Sequence, residues 1–169
     1  MKNFAALLLV LIFATTALAT DNHEYGSDEY DTVCHGASPI GKYAITAHGS
    51  KDDYGYGSFH LFLTDAATGK PIATLKEIVG TLDTGAGAFV CSWSSNSSRF
   101  QIVYRISRHE PLKVISYEIT KGLPQSMKGV VDADANQSNY WSKSVNAPRS
   151  PEKVYGTPLK DSEKTIGTY

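Results

Sequence analysis

The stretch Ser38-Pro39-Ile40-Gly41-Lys42-Tyr43-Ala44-Ile45 and the stretch Ser94-Ser95-Asn96-Ser97-Ser98-Arg99-Phe100-Gln101-Ile102 read as two versions of one turn-and-strand unit. Slid by 57 positions, the separation of Cys34 from Cys91, they set Ser38 on Ser95, Lys42 on Arg99, Tyr43 on Phe100 and Ile45 on Ile102. Each copy runs on into a second apolar segment closed by a glycine, LFLTDAATG to Gly69 and VISYEITKG to Gly122. An internal repeat means one supersecondary unit used twice, so it decides the architecture more firmly than residue propensities do.

Alternation at period two, broken by Gly/Pro/Asp/Ser clusters, predicts four strands in each copy. In the first they fall at 32–35, 43–47, 59–64 and 71–75; in the second at 86–93, 99–106, 112–119 and 125–131. The expected fold is all-β. It comprises two four-stranded antiparallel blade-like units, residues 32–78 and 86–131, arranged as a propeller-like fragment or a packed β-sandwich. Residues 132–169 are polar, carry Pro148, Pro151 and Pro158, and show no sustained alternation, which predicts an irregular tail.

The chain opens with Lys2, an apolar run from Phe4, and Ala17-Leu18-Ala19, the pattern of a secretory signal peptide over residues 1–19. Its apolar run is shorter than the roughly 20 residues a membrane span needs, so the expectation is export to periplasm or medium with no membrane span. Residues 20–31 form an acidic leader, with Asp21, Glu24, Asp28, Glu29 and Asp31 and no Lys or Arg. Sixteen basic against seventeen acidic residues give a net charge of −1, which argues against nucleic acid as a partner. In an exported chain Cys34 and Cys91, at equivalent places in the two units, either pair or stand as two small buried residues.

The turns resemble those of Tol-type and WD-type β-propellers: SPIGK (Ser38 to Lys42), DAATGK (Asp65 to Lys70) and WSSNSSR (Trp93 to Arg99). Ile40 stands where that turn carries Asp. The resemblance implies blades of four strands, and a ring needs at least four of them, so the two seen here pack on each other or complete a partner's ring. It also implies that the long connections of both units share one face.

Candidate sites lie on those connections. His48 and His60 flank the glycine-rich loop 49–58, with Asp52 and Asp53 at its tip, and imidazole with carboxylate suits Zn²⁺ or a similar ion. The plainer reading of these residues is a solvated hairpin loop. Tyr54 and Tyr56, set among glycines, offer rings for stacking on a sugar or peptide. The matching loop 107–111 brings Arg108, His109 and Glu110, with Arg105 just before it, a set suited to an anionic ligand or partner protein. A surface pair of Arg105 with Asp53 is the plainer alternative.

No Gly-x-Ser-x-Gly elbow surrounds the serines at 92–98, TGAGAF from Thr84 lacks the third glycine of a dinucleotide loop, and Gly69-Lys70 lacks the earlier glycine of a phosphate loop. Asn96-Ser97-Ser98 and Asn136-Gln137-Ser138 are N-glycosylation sequons, meaningful in a eukaryotic source. The expectation is a non-catalytic binding or interaction module acting through loops 49–58 and 107–111, with no cofactor. Its ligand is a protein or a small molecule, and self-association is among the options. A metal-dependent hydrolase using His48, His60 and the loop aspartates is the alternative, and an accessory subunit completing a partner's propeller is the third.

Overall fold

In the computed structural model, residues 23, 25–26, 30–49, 59–145, 158–159 and 164–165 are described. The chain forms two four-stranded antiparallel meanders. The first runs β1 (Asp31–Ala37), β2 (Tyr43–His48), β3 (His60–Asp65) and β4 (Pro71–Thr74). A short 3-10 turn (Ala86–Ala88) then leads into β5 (Phe89–Trp93), β6 (Arg99–Tyr104), β7 (Lys113–Thr120) and β8 (Leu123–Asp132). Strand order follows chain order in both sheets, and neither closes into a barrel. The fold is all-β with two sheets, as expected. A helix follows, α1 (Ala135–Val145), and β9 (Pro158–Leu159) pairs with β10 (Lys164–Thr165).

The two first turns are built by the same hydrogen bonds. Ser38 N donates to Tyr43 O (2.6 Å), and Ser94 N donates to Arg99 O (2.9 Å). Ser38 Oγ accepts from Tyr43 N (3.2 Å), as Ser94 Oγ accepts from Arg99 N (2.9 Å). The third turn residue closes on the serine carbonyl in each, with Gly41 N to Ser38 O and Ser97 N to Ser94 O. Gly41 sits at φ 70° and Ser97 at φ 56°, so the left-handed position filled by glycine in one copy is occupied by serine in the other. Structure therefore aligns Ser38 with Ser94 and Tyr43 with Arg99, one residue out of step with the sequence repeat.

That single step has a large consequence. Carbonyl direction and side-chain direction are locked together along a strand, so Tyr43 and Arg99 lie on the same face of their respective sheets. Yet Tyr43 is buried, as are Ile45 and Ala47, while Arg99 is exposed and the buried residues of β6 include Phe100, Ile102 and Tyr104. The front of the first sheet thus packs on the back of the second. One core results: Val33, Tyr43, Ile45, Leu61 and Leu63 from the first sheet meet Phe89, Phe100, Ile102, Ile115 and Tyr117 from the second, with Leu75 and Ile78 of the linker closing one side. Phe100 links two further rings, Trp93 at 4.7 Å and Tyr117 at 4.9 Å between centroids.

Edge strands β1 and β5 form the seam, where Cys34 and Cys91 are joined by a disulfide across Cα atoms 4.7 Å apart. Cys34 lies where the β1–β2 register shifts between Val33 and Ala37, with φ 60°. The bulge sets the step from Val33 to Ala37 on β1 against the single step from Ile45 to Ala44 on β2, and within it Cys34 keeps the separation of 57 from Cys91 that the turns do not keep. The turn at Asp65 is held by its own side chain: Oδ1 accepts from Ala67 N (3.0 Å), Thr68 N (2.9 Å) and Thr68 Oγ1 (2.9 Å). These donors, the Thr68 amide foremost, hold the Asp65 carboxyl below its ordinary pKa.

Helix α1 lies in the segment whose composition predicted an irregular tail. Its start is a reciprocal cap, with Gln137 N donating to Asp134 Oδ1 and Asp134 N donating to Gln137 Oε1, both at 2.8 Å. Trp141 then packs on Val90, Val103 and Val114, one cross-strand row on the front of the second sheet. Its Nε1 donates to Ala88 O (3.4 Å), and Tyr140 Oη donates to Cys91 O (2.9 Å). The eleven residues carry few apolar side chains at helical spacing, so the period-3.6 signal is absent and tertiary docking holds the helix instead.

Truncating Trp141 to Ala should therefore cost about 3 kcal/mol in chemical denaturation, as other large-to-small core changes do; an unchanged midpoint would show that α1 adds nothing. A second outcome concerns pH. Burial raises the Tyr104 pKa to about 12, and burial with the Glu77 carboxylate (Tyr117 Oη to Oε2, 2.9 Å) raises that of Tyr117 further. Both groups hold their protons longer folded than unfolded. Stability should be intact below about pH 10, the ordinary tyrosine value, and fall as pH rises through about 12. Melting temperature followed on the alkaline side checks this, and Tyr104→Phe should flatten the decline.

Candidate functional site

The first turns of the two units meet at one end of the molecule, where Ile40 N donates to Ser97 Oγ (3.2 Å). β2 and β6 both run away from that end, so the connections after His48 and after Tyr104 leave from the opposite end. Both candidate loops therefore start from a common end. Asp52, Asp53, Tyr54 and Tyr56 lie outside the described residues.

His48 and His60 are direct partners in the β2–β3 ladder, so their side chains share the outer face of the first sheet. Each is engaged with a different ring. His48 stacks on Tyr30 at 4.3 Å between centroids with 14° between planes, and His60 meets Phe62 edge-on at 6.3 Å. Tyr30 and Phe62 touch in turn, at 5.5 Å. The result is a continuous patch of four rings, each half-buried, beside the base of loop 49–58. Nδ1 of His60 is buried and has no hydrogen-bond partner among the described residues. Among the described residues no group of three or more His, Cys, Asp or Glu side chains is placed to hold a metal ion.

The leader reaches the same end. Tyr25 Oη donates to Thr84 O (2.8 Å), and the Tyr25 ring lies 6.0 Å from Phe59 and 6.4 Å from His48. His23 Nε2 lies 3.4 Å from Asp31 Oδ2. These contacts were hidden in a segment whose acidity dominates its composition.

In the second unit the candidate residues separate. Arg105 turns inward: its Nε donates to Asp83 Oδ2 (2.6 Å), its second nitrogen pairs with the same oxygen, and its guanidinium lies 5.6 Å from the Trp141 ring centroid. The two side chains are 13% and 2% exposed, so the pair lies inside the fold. The linker is fastened beside it, with Leu82 N and Asp83 N both donating to Ile106 O. Arg108 and His109 stay on the surface, joined by Arg108 Nε to His109 Nε2 at 3.1 Å.

One further surface has no counterpart in the sequence pattern. Past the valine row covered by α1, the front of the second sheet opens into a shallow groove of about 260 Å³. Its floor is one cross-strand row, Ser92, Gln101 and Ser116, with Gln101 Nε2 donating to Ser116 Oγ (3.0 Å). Arg99, tied to Glu118 at 2.9 Å, and Met127 form its rim. Ser92, Gln101 and Ser116 come from three different strands, and the register of β5, β6 and β7 brings them into line.

Comparison with known proteins adds no relative: no family model, no curated protein and no solved structure matches this chain.

Asp83 offers a clear separation of framework from surface. Asp83→Ala leaves a buried guanidinium without its carboxylate, and thermal or chemical unfolding should show a loss of about 3–5 kcal/mol. His109→Ala, on the exposed loop, should stay within about 0.5 kcal/mol. Equal effects for the two would refute the assignment of Arg105 to the framework.

Proposed function

We propose that this protein is an exported, non-catalytic β-repeat binding module whose ligand meets the end from which loops 49–58 and 107–111 depart. The observation that carries this reading is the half-exposed ring patch of Tyr30, His48, His60 and Phe62 beside the first loop. Aromatic and imidazole rings lose little conformational freedom on binding and present flat apolar area with polar edges, which suits a sugar or peptide ligand. Arg108 and His109 on the neighbouring loop add hydrogen-bond donors. Export is supported by the signal-like residues 1–19 and by the Cys34–Cys91 bond, since disulfides persist in oxidising compartments.

A metal-dependent hydrolase is favoured by one specific observation, the ladder pairing of His48 with His60 together with a buried His60 Nδ1 that has no hydrogen-bond partner among the described residues. Completion of a partner's propeller is favoured by the front-to-back stacking, but α1 occupies part of the face on which a further sheet would pack.

Immobilised glycan and peptide arrays probed with wild-type protein and with Tyr30→Ala/His60→Ala decide between these. The binding-module reading expects hits that the double variant loses while its melting temperature stays near wild type. Hits unaffected by the double variant would move the site elsewhere, and stoichiometric Zn²⁺ in the purified wild type would favour the hydrolase.

A further inference from the structure

The β5–β6 turn contains a feature that the binding reading leaves unused. Asn96-Ser97-Ser98 is a sequon at an exposed hairpin tip. The Asn96 carbonyl oxygen is fully occupied, accepting from Ser94 Oγ (2.8 Å), Ser98 N (3.1 Å) and Ser98 Oγ (2.8 Å). The amide nitrogen makes no hydrogen bond among the described residues and is not part of what shapes the turn. A group carried on that nitrogen would leave every bond of the turn in place. Ser97, the middle residue, is buried and accepts from Ile40 N, which anchors the tip against the first unit. The tip is therefore held firmly, and its spare amide nitrogen belongs to an exposed residue.

We propose that Asn96 is the acceptor of an N-linked glycan when the chain passes through a secretory pathway that carries the transferase. The donor is a lipid-diphosphate-linked oligosaccharide. The Asn96 amide nitrogen attacks the anomeric carbon, a carbon–nitrogen bond forms, the carbon–oxygen bond to diphosphate breaks, and the amide gives up one proton as lipid diphosphate leaves. The proposal rests on the export reading, and the glycan would stand at the rim of the groove floored by Ser92, Gln101 and Ser116, because Ser94 and Arg99 line that groove.

The test is expression of the full chain with its own leader in a eukaryotic secretory host, with the mass of the secreted protein measured before and after peptide-N-glycosidase F. Expected is one added glycan, removed by the enzyme with Asp left at position 96 in peptide mapping. It should be absent in Asn96→Gln and in Ser98→Ala, which keeps the Asn96 side chain, and retained in Ser98→Thr and Asn136→Gln. A secreted protein unmodified at Asn96, or a glycan that survives Asn96→Gln and vanishes with Asn136→Gln, overturns the proposal. Retention of the chain inside the cell tells against the export reading instead, and the same measurements on the chain behind a host leader then decide for or against Asn96.

Discussion

Neither sheet of this protein can bury its apolar face alone, and everything else follows from how the two faces meet. An isolated four-stranded meander leaves one side wet; here two share one core between the front of the first and the back of the second. The seam is closed at β1 and β5 by Cys34–Cys91, which removes loop-closure entropy from the unfolded chain over a separation of 57 residues. Because the stacking is front to back, the remaining faces are unlike each other. The back of the first sheet carries the ring patch, and the front of the second carries the valine row under α1 and the polar groove beside it.

That asymmetry separates framework from surface within one residue type. Arg105 and Arg108 lie three positions apart, yet one is buried against Asp83 and Trp141 while the other is exposed beside His109. The buried pair ties three parts together: the linker through Asp83, the end of β6 through Arg105 just beyond it, and α1 through Trp141. A buried ion pair contributes little to net stability compared with an apolar substitute, but it is intolerant of losing one partner. Its role is to hold the linker and helix in register with the sheet.

The repeat was legible because turn chemistry is local. Ser38 and Ser94 build the same turn from bonds spanning five residues, and Gly69 and Gly122, at φ 69° and 83°, mark the last turns of their units. The register between the copies was not legible. Sequence similarity matched Tyr43 to Phe100 because both are aromatic and buried; backbone hydrogen bonds match Tyr43 to Arg99. Both statements hold, since similar side chains serve opposite faces of equivalent strands. Of the candidate site, His48 and His60 were readable as loop flanks, whereas Phe62 joined them through the β2–β3 pairing and Tyr30, just before β1, through its ring contacts with His48 and Phe62.

The sequence by itself determined the eight strands of the two four-stranded sheets and the serine-based first turns, because each depends on residues within reach of one another along the chain. Tertiary structure alone decided which face of each sheet is inside, that Cys34 reaches Cys91, that Arg105 turns inward, and that the segment from Asp134 to Val145 forms a capped, docked helix. Those outcomes depend on contacts between distant segments. The first turns of the two units align one residue out of step with the sequence repeat, and at a side-chain period of two, one residue exchanges the faces of a sheet.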